Sequence, residues 1–214
     1  MADYEGPVCS SCRAFACDAE PGTKPLPKTC PMFAERDLLD RSGACYGADP
    51  ELNHMAREAA LTESAGYCKA TRVEETMDFA RRMGWRRLGI AHCLGLIREA
   101  KIARDIFVAG GFEVFTACCK AGAFEKAVIG VGDAEKVRPG CFEPMCNPVG
   151  QAALLAQAGT QLNVLIGLCV GHDSIFFMHS KAPVTVLVAK DRVLGHNPVA
   201  ALYTAETYYR RLKS

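Results

Sequence analysis

The sequence lacks a basic tract. Lys and Arg total 25 against 24 Asp and Glu, a net charge of +1, and no stretch concentrates the positive residues. A nucleic-acid partner is therefore not expected. Long apolar runs are also missing. Met1-Ala2-Asp3-Tyr4-Glu5 is acidic with no apolar run behind it, so it does not read as a signal peptide. The most apolar stretch, 152–170, is interrupted by Gln157, Thr160, Gln161 and Asn163. That is too broken to span a bilayer, so a soluble, cytoplasmic protein with no membrane partner is expected. No G-x-G-x-x-G follows the first expected strand, no Walker-type lysine is present, and Gly130-Val131-Gly132 lies in an irregular stretch. Neither a Ser-His-Asp order nor a G-x-S-x-G motif presents itself, and there is no internal repeat.

Cysteine, by contrast, is abundant, at twelve in 214 residues. That is about 6%, below the ~8–10% of short secreted disulfide scaffolds. In a reducing compartment such richness points to metal or redox chemistry. Cys45 and Cys68 stand alone and read as small buried hydrophobes.

Residues 1–34 hold Cys9, Cys12, Cys17 and Cys30 amid five residues that break regular structure: Pro21, Gly22, Pro25, Pro27 and Pro31. The segment has no periodicity and cannot make a core, and a metal is the usual substitute. The spacing C-x2-C-x4-C-x12-C supplies four thiolates for a tetrahedral zinc or one iron–sulfur cluster. A closed four-cysteine site leans towards zinc, whereas Cys30-Pro31 is similar to ferredoxin-type loops.

Residues 35–84 form a helical segment. Asp49-Pro50 reads as an N-cap with proline at the first helical position, and Thr71-Arg72-Val73-Glu74 as a capping box. Val73, Met77, Ala80 and Met83 make an apolar stripe that Gly84 can end. His54 falls within a helical stripe, on the surface or in the core.

Residues 85–214 alternate strand and helix. Strands are expected at 88–91, 112–117, 163–168 and 184–189. Helices are expected at 94–109, 148–158 and 171–180, with a final one capped by Asn197-Pro198 that carries Val199, Leu202, Tyr203 and Tyr209. This alternation implies an α/β fold, a mostly parallel Rossmann- or flavodoxin-like sheet flanked by helices. The irregular 120–147 stretch is long for a connection, and such loops are usually functional.

Cysteines follow three of the four expected strands. Cys93 follows the first, Cys118 and Cys119 the second, and Cys169 the third, while Cys146 precedes Asn147-Pro148 at a helix mouth. Parallel α/β sheets bind ligands beyond the carboxyl ends of their strands, where strand order reverses. With the first strand central and its neighbours on either side, Cys93, Cys119, Cys146 and Cys169 converge. Helix N-termini beside Cys93 and Cys169 favour thiolates there. Cys118 and Cys119 cannot both face one side of an extended chain; Cys119 is preferred because Cys119-Lys120 starts the loop, and Cys141 is a reserve ligand. His172 is a candidate ligand or proton donor, with Lys120 a nearby charge or proton partner. His196 could face the same crevice, and His92 should point away from Cys93. Asp173 reads as a helix cap.

Several blocks carry a resemblance to a known family. They are G-I-A-H-C-L-G-L-I-R-E-A from Gly89, C-C-K from Cys118, C-N-P from Cys146, G-L-C-V-G-H-D-S from Gly167, A-P-V-T from Ala182 and K-D-R-V-L-G-H-N-P from Lys190. Together with the early cysteine cluster, they resemble the cysteine-rich metal-binding proteins of anaerobic prokaryotes, a family with a domain of unknown function. The resemblance implies metal binding with Cys93, Cys119, Cys146, Cys169 and His172 at its motif positions, and it implies no particular reaction.

The expectation is thus an iron–sulfur cluster, 4Fe–4S, at the strand ends, with zinc or a second cluster at the N-terminal cysteines. Such a protein would act on a small molecule or exchange electrons with a partner. The alternatives are a non-catalytic zinc module and a thiol enzyme with Cys93 or Cys169 as nucleophile.

Overall fold

The computed structural model describes residues 5–213. The chain parts into two compact units, one ending at Leu61 and the other starting at Thr62. The first holds two 3-10 turns, Cys9–Ser11 and Ala16–Asp18, then α1 (Pro31–Ala34), α2 (Arg36–Ala48) and most of α3 (Pro50–Gly66). Asp49 caps α3, its Oδ1 accepting from the amides of Glu51 and Leu52 at 3.0 and 3.1 Å. Cys45 and Cys68 are exposed, which corrects the expectation that they are buried. Cys45 sits in α2, which has no buried residue, and Cys68 occupies a left-handed turn just after α3, so neither reaches a core.

The second unit opens with α4 (Arg72–Arg82). The Thr71 hydroxyl accepts from the Glu74 amide while Glu74 Oε2 accepts from the Thr71 amide, so the capping box forms. Ala80 on this helix is fully buried, and Val73 and Met77 pack against the core beside it. The sheet follows, as β1 (Arg87–His92), β2 (Glu113–Cys118), β3 (Leu162–Ile166) and β4 (Val184–Val188), with α5 (Ile97–Ala109), α6 (Pro148–Gln157) and α7 (His172–His179) between. All the pairings are parallel and the order is β2-β1-β3-β4. β1 and β3 are central and buried almost throughout, which is why they read as continuous apolar runs, whereas the outer strands are only partly covered. Gly89 leaves room for a neighbouring strand, since a Cβ there would come within 2.1 Å of Asn163 Oδ1.

The last α-helix among the described residues is α8 (Val199–Tyr203), with a 3-10 turn at Arg210–Lys213 after it. It is shorter than expected and does not reach Tyr209. The Thr204 hydroxyl donates back to the Ala200 carbonyl, and such local bonds compete with helix propagation. No helix among the described residues is long and apolar enough to cross a membrane.

Candidate metal centre

Strand order places the reversal point between β1 and β3. Cys93 leaves the end of β1 with its amide donating to the Ile166 carbonyl of β3 at 3.1 Å. The Cys119 amide donates to the His92 carbonyl at 2.9 Å, so the end of β2 is tied to the end of β1. Cys146 is held from the other side by Asn147. That residue's amide donates to the Cys119 carbonyl at 2.7 Å, its Nδ2 donates to the Ala121 carbonyl, and its Oδ1 accepts from Gly150 as the cap of α6. Gln151 on α6 is fully buried and donates through Nε2 to the carbonyls of His92 and Ala117, closing the strand ends. Cys169 lies in the turn just before α7, its carbonyl accepting from the amides of His172 and Asp173.

The sulfurs of Cys93, Cys119 and Cys146 form a hydrogen-bonded row with Cys119 in the middle. Cys119 is only 2% exposed, whereas Cys118 is partly buried against the core and takes no part in the row. Two backbone amides at the entry to α5 point at the row, with Leu94 donating to Cys119 Sγ at 3.3 Å and Gly95 donating to Cys93. Lys190 Nζ donates to Cys93 Sγ at 3.0 Å, and Arg192 donates to Cys169 Sγ at 3.1 Å. Lys120 donates to Cys146 and to the Pro144 carbonyl. His172 lies near Cys146, and its Nδ1 is buried with no hydrogen-bond partner.

The electrostatic consequence is a split among the thiols. The hydrogen bond from Cys119, with those from Lys190 and Gly95, holds Cys93 down to about 4 against burial. Cys119 does the same for Cys146, with the charges of Lys120 and His172 adding to it, and Cys146 falls to about 5. Cys119 itself is pushed strongly up by its bonds to Cys146 and Cys93. These shifts favour the thiolate at the outer two cysteines and the proton at the middle one.

The structure therefore brings Cys93, Cys119 and Cys146 together, with Cys169, Lys120 and His172 at the same strand ends. Cys141 is exposed in the long loop. His196 is committed elsewhere, in a left-handed turn where its Nδ1 accepts from the Asp191 amide at 3.1 Å. Asp173 is not the cap of α7. Gly171 occupies that place and Asp173 accepts only from the adjacent Ser174 amide. His92 is buried, with Nδ1 3.1 Å from the Cys93 carbonyl. Lys190 and Arg192 were not among the expected site residues. The signal for them was available, because they follow β4 as the cysteines follow the other strands.

The N-terminal cysteines also come together. Cys9, Cys12, Cys17 and Cys30 line one cavity of about 810 Å³. Among the described residues, no three His, Cys, Asp or Glu side chains are set to hold a metal ion. The strand-end donors nonetheless fit an iron–sulfur cluster in kind. Four thiols arrive from separate segments, N–H groups point at two of them, and cations touch three.

Fold and site together define a cysteine-rich protein with a Rossmann-like parallel sheet and a thiol cluster at its strand ends. The chain belongs to the family described as protein of unknown function (DUF1847), which matches residues 30–187. It is 44% identical over 178 residues to the uncharacterized protein MJ0455 of Methanocaldococcus jannaschii, spanning 83% of this chain and 89% of that one. The matched family span takes in Cys30 and all four strand-end cysteines but not Cys9, Cys12 or Cys17.

Proposed function

We propose that Cys93, Cys119, Cys146 and Cys169 hold a 4Fe–4S cluster, and that the protein is a cytoplasmic redox protein or enzyme acting on a small molecule. The observation that carries this reading is the pairing of thiols with cations at the strand ends, Lys190 on Cys93, Arg192 on Cys169 and Lys120 on Cys146. A cluster with four thiolates is anionic, and buried anionic centres need such charges and N–H donors. A bound cluster would supply one-electron chemistry, with Lewis acidity added only if one iron were left without a protein ligand. The residues of the chain do the rest. Lys120 and Arg192 orient an anionic group at the cleft, and His172 holds or delivers a proton beside Cys146. Residues 1–34 form a separate metal module, and an electron-transfer partner completes the cycle.

Anaerobic reconstitution with iron and sulfide tests this. The expected product is brown, with about four irons and as many sulfides lost on replacing Cys93 or Cys146 by serine. A colourless product that binds only zinc contradicts it.

A second reading rests on the depressed Cys93 thiol. As a metal-free thiol enzyme, the protein would use Cys93 as nucleophile. Fast single-site alkylation of Cys93 in anaerobically prepared protein favours this reading, and protection of the strand-end thiols favours the cluster.

A further inference from the structure

We infer that Cys119 and Cys146 form a reversible disulfide when the metal-free protein meets hydrogen peroxide, and that this bond closes the strand-end site to iron. The cross-link needs only the two thiols and stands apart from the cluster. The closing of the site rests on the strand-end reading above.

Placement is the first argument. The Asn147 amide donates to the Cys119 carbonyl at 2.7 Å, so the backbones that carry the two cysteines run side by side. A backbone bond of that kind sets chains about 4.8 Å apart, and disulfides span Cα separations of about 4.4–6.8 Å. The two side chains already meet in the sulfur row. The backbone is pinned on both sides of the pair. The Cys119 amide donates to the His92 carbonyl at 2.9 Å, and Asn147 caps α6 by accepting from the Gly150 amide at 2.9 Å. Bond formation therefore asks for side-chain rotation and little movement of the chain.

Access is the second argument. Cys93 and Cys119 are buried, whereas Cys146 is only partly covered, so a small oxidant reaches Cys146 first. The Cys146 sulfur attacks one peroxide oxygen and the O–O bond breaks. The other oxygen takes the thiol proton and leaves as water, and Cys146 becomes a sulfenic acid. The Cys119 sulfur then attacks the Cys146 sulfur. The S–O bond breaks, the hydroxyl leaves with the Cys119 proton as a second water, and the S–S bond forms. Two thiols have lost two electrons and one peroxide has gained them. A thiol this close intercepts the sulfenic acid before more peroxide carries it to the irreversible sulfinic acid. Cys93 lies on the far side of Cys119, held by Lys190 at 3.0 Å, and stays a thiol. The disulfide removes two of the four proposed ligands.

The test uses the full chain, reduced, stripped of metal and kept anaerobic until hydrogen peroxide is added. Free thiols are then blocked with N-ethylmaleimide and the peptides mapped by mass spectrometry without reduction. Cys119 should be joined to Cys146 with Cys93 free, and dithiothreitol should restore both thiols. A link from Cys119 to Cys93 or Cys118, sulfinic acid at Cys146 without a link, or Cys146 left as a thiol overturns the inference. This readout depends on no variant. Iron uptake is then compared in a Cys9→Ser/Cys12→Ser chain, so that the N-terminal cysteines do not contribute. Reconstituted without added thiol, the oxidised chain should hold about four fewer irons than the reduced one, and dithiothreitol should restore them. Equal iron in both overturns the closing of the site. A link in a chain whose reduced form takes up no iron sinks the strand-end reading, and the closing of the site with it, while the cross-link stands. Iron uptake without a link upholds the strand-end reading and overturns this inference.

Discussion

The ammonium of Lys190 lies 3.0 Å from the sulfur of Cys93, a contact across 97 positions of sequence. The loop carrying Lys190 is built for that placement. Asp191 Oδ1 accepts from the amides of Val193 and Leu194, and the His196 amide donates to the Asp191 carbonyl at 2.7 Å. The same loop puts Arg192 on Cys169. One short segment after β4 thus supplies charge to two of the four thiols. Lys190→Gln should leave the cluster bound but make its reduction potential more negative, by tens of millivolts, because a nearby positive charge favours the reduced form. Lys190→Arg should restore most of the shift. Voltammetry of the reconstituted protein checks both.

Gly167 has φ +65° where the chain turns from β3 towards Cys169. A Cβ there would come within 2.8 Å of Leu96 Cδ2. Gly167→Ala should therefore cost on the order of 1–3 kcal/mol. It should also lower iron loading by displacing Cys169. Thermal unfolding followed by circular dichroism, with an iron assay alongside, reads both effects.

The split among the thiols has a pH signature in metal-free, reduced protein. Cys146 is held at about 5, mainly by its hydrogen bond to Cys119 and then by the charges of Lys120 and His172. Its folded value lies below the ordinary thiol range, so its thiolate persists as pH falls and is lost only through about 5. Labelling of Cys146 by iodoacetamide should stay nearly level from about pH 8 to about pH 6, while glutathione slows by more than tenfold over that range. Cys119→Ala should move the descent upward, since it removes the largest cause. Peptide-resolved mass spectrometry gives the rates.

Among the described residues, every buried hydrophobic core residue lies between Ala80 and Phe176, inside the second unit. Removing residues 1–34 should leave a folded protein that still takes up iron at the strand ends. Circular dichroism and metal analysis of the shortened chain check this, and an unfolded or iron-free product would show that the two cysteine groups act as one.

Much of this arrangement was legible in the sequence, for identifiable reasons. β1 and β3 are buried on both faces, so their apolar runs announced central parallel strands. Cysteine after strand after strand then made sense only at the carboxyl edge of the sheet. Strand alternation allowed only one of Cys118 and Cys119 to face the site, the start of the loop at Cys119-Lys120 favoured the second, and the structure buries Cys119 in the sulfur row. Lys190 and Arg192 were overlooked, although they follow the expected strand at 184–189, because a cation beside a strand end reads as a solvated surface residue until a thiol is placed next to it. α2 carries no buried residue, and Leu38 and Leu39 are exposed, so it had no apolar stripe to mark its bounds. Asp173 and His196 show that residues suited to capping or ligation take other partners when a glycine or a tight loop is nearer.

The central claim is that these particular thiols face a common centre, and neighbouring cysteines on β2 and just after it test it most directly. Iron should be counted after anaerobic reconstitution of Cys118→Ser and Cys119→Ser, each confirmed folded by circular dichroism. The account predicts that Cys119→Ser loses about four irons per chain while Cys118→Ser loses none. Equal loss from both, or no loss from Cys119→Ser, would contradict it.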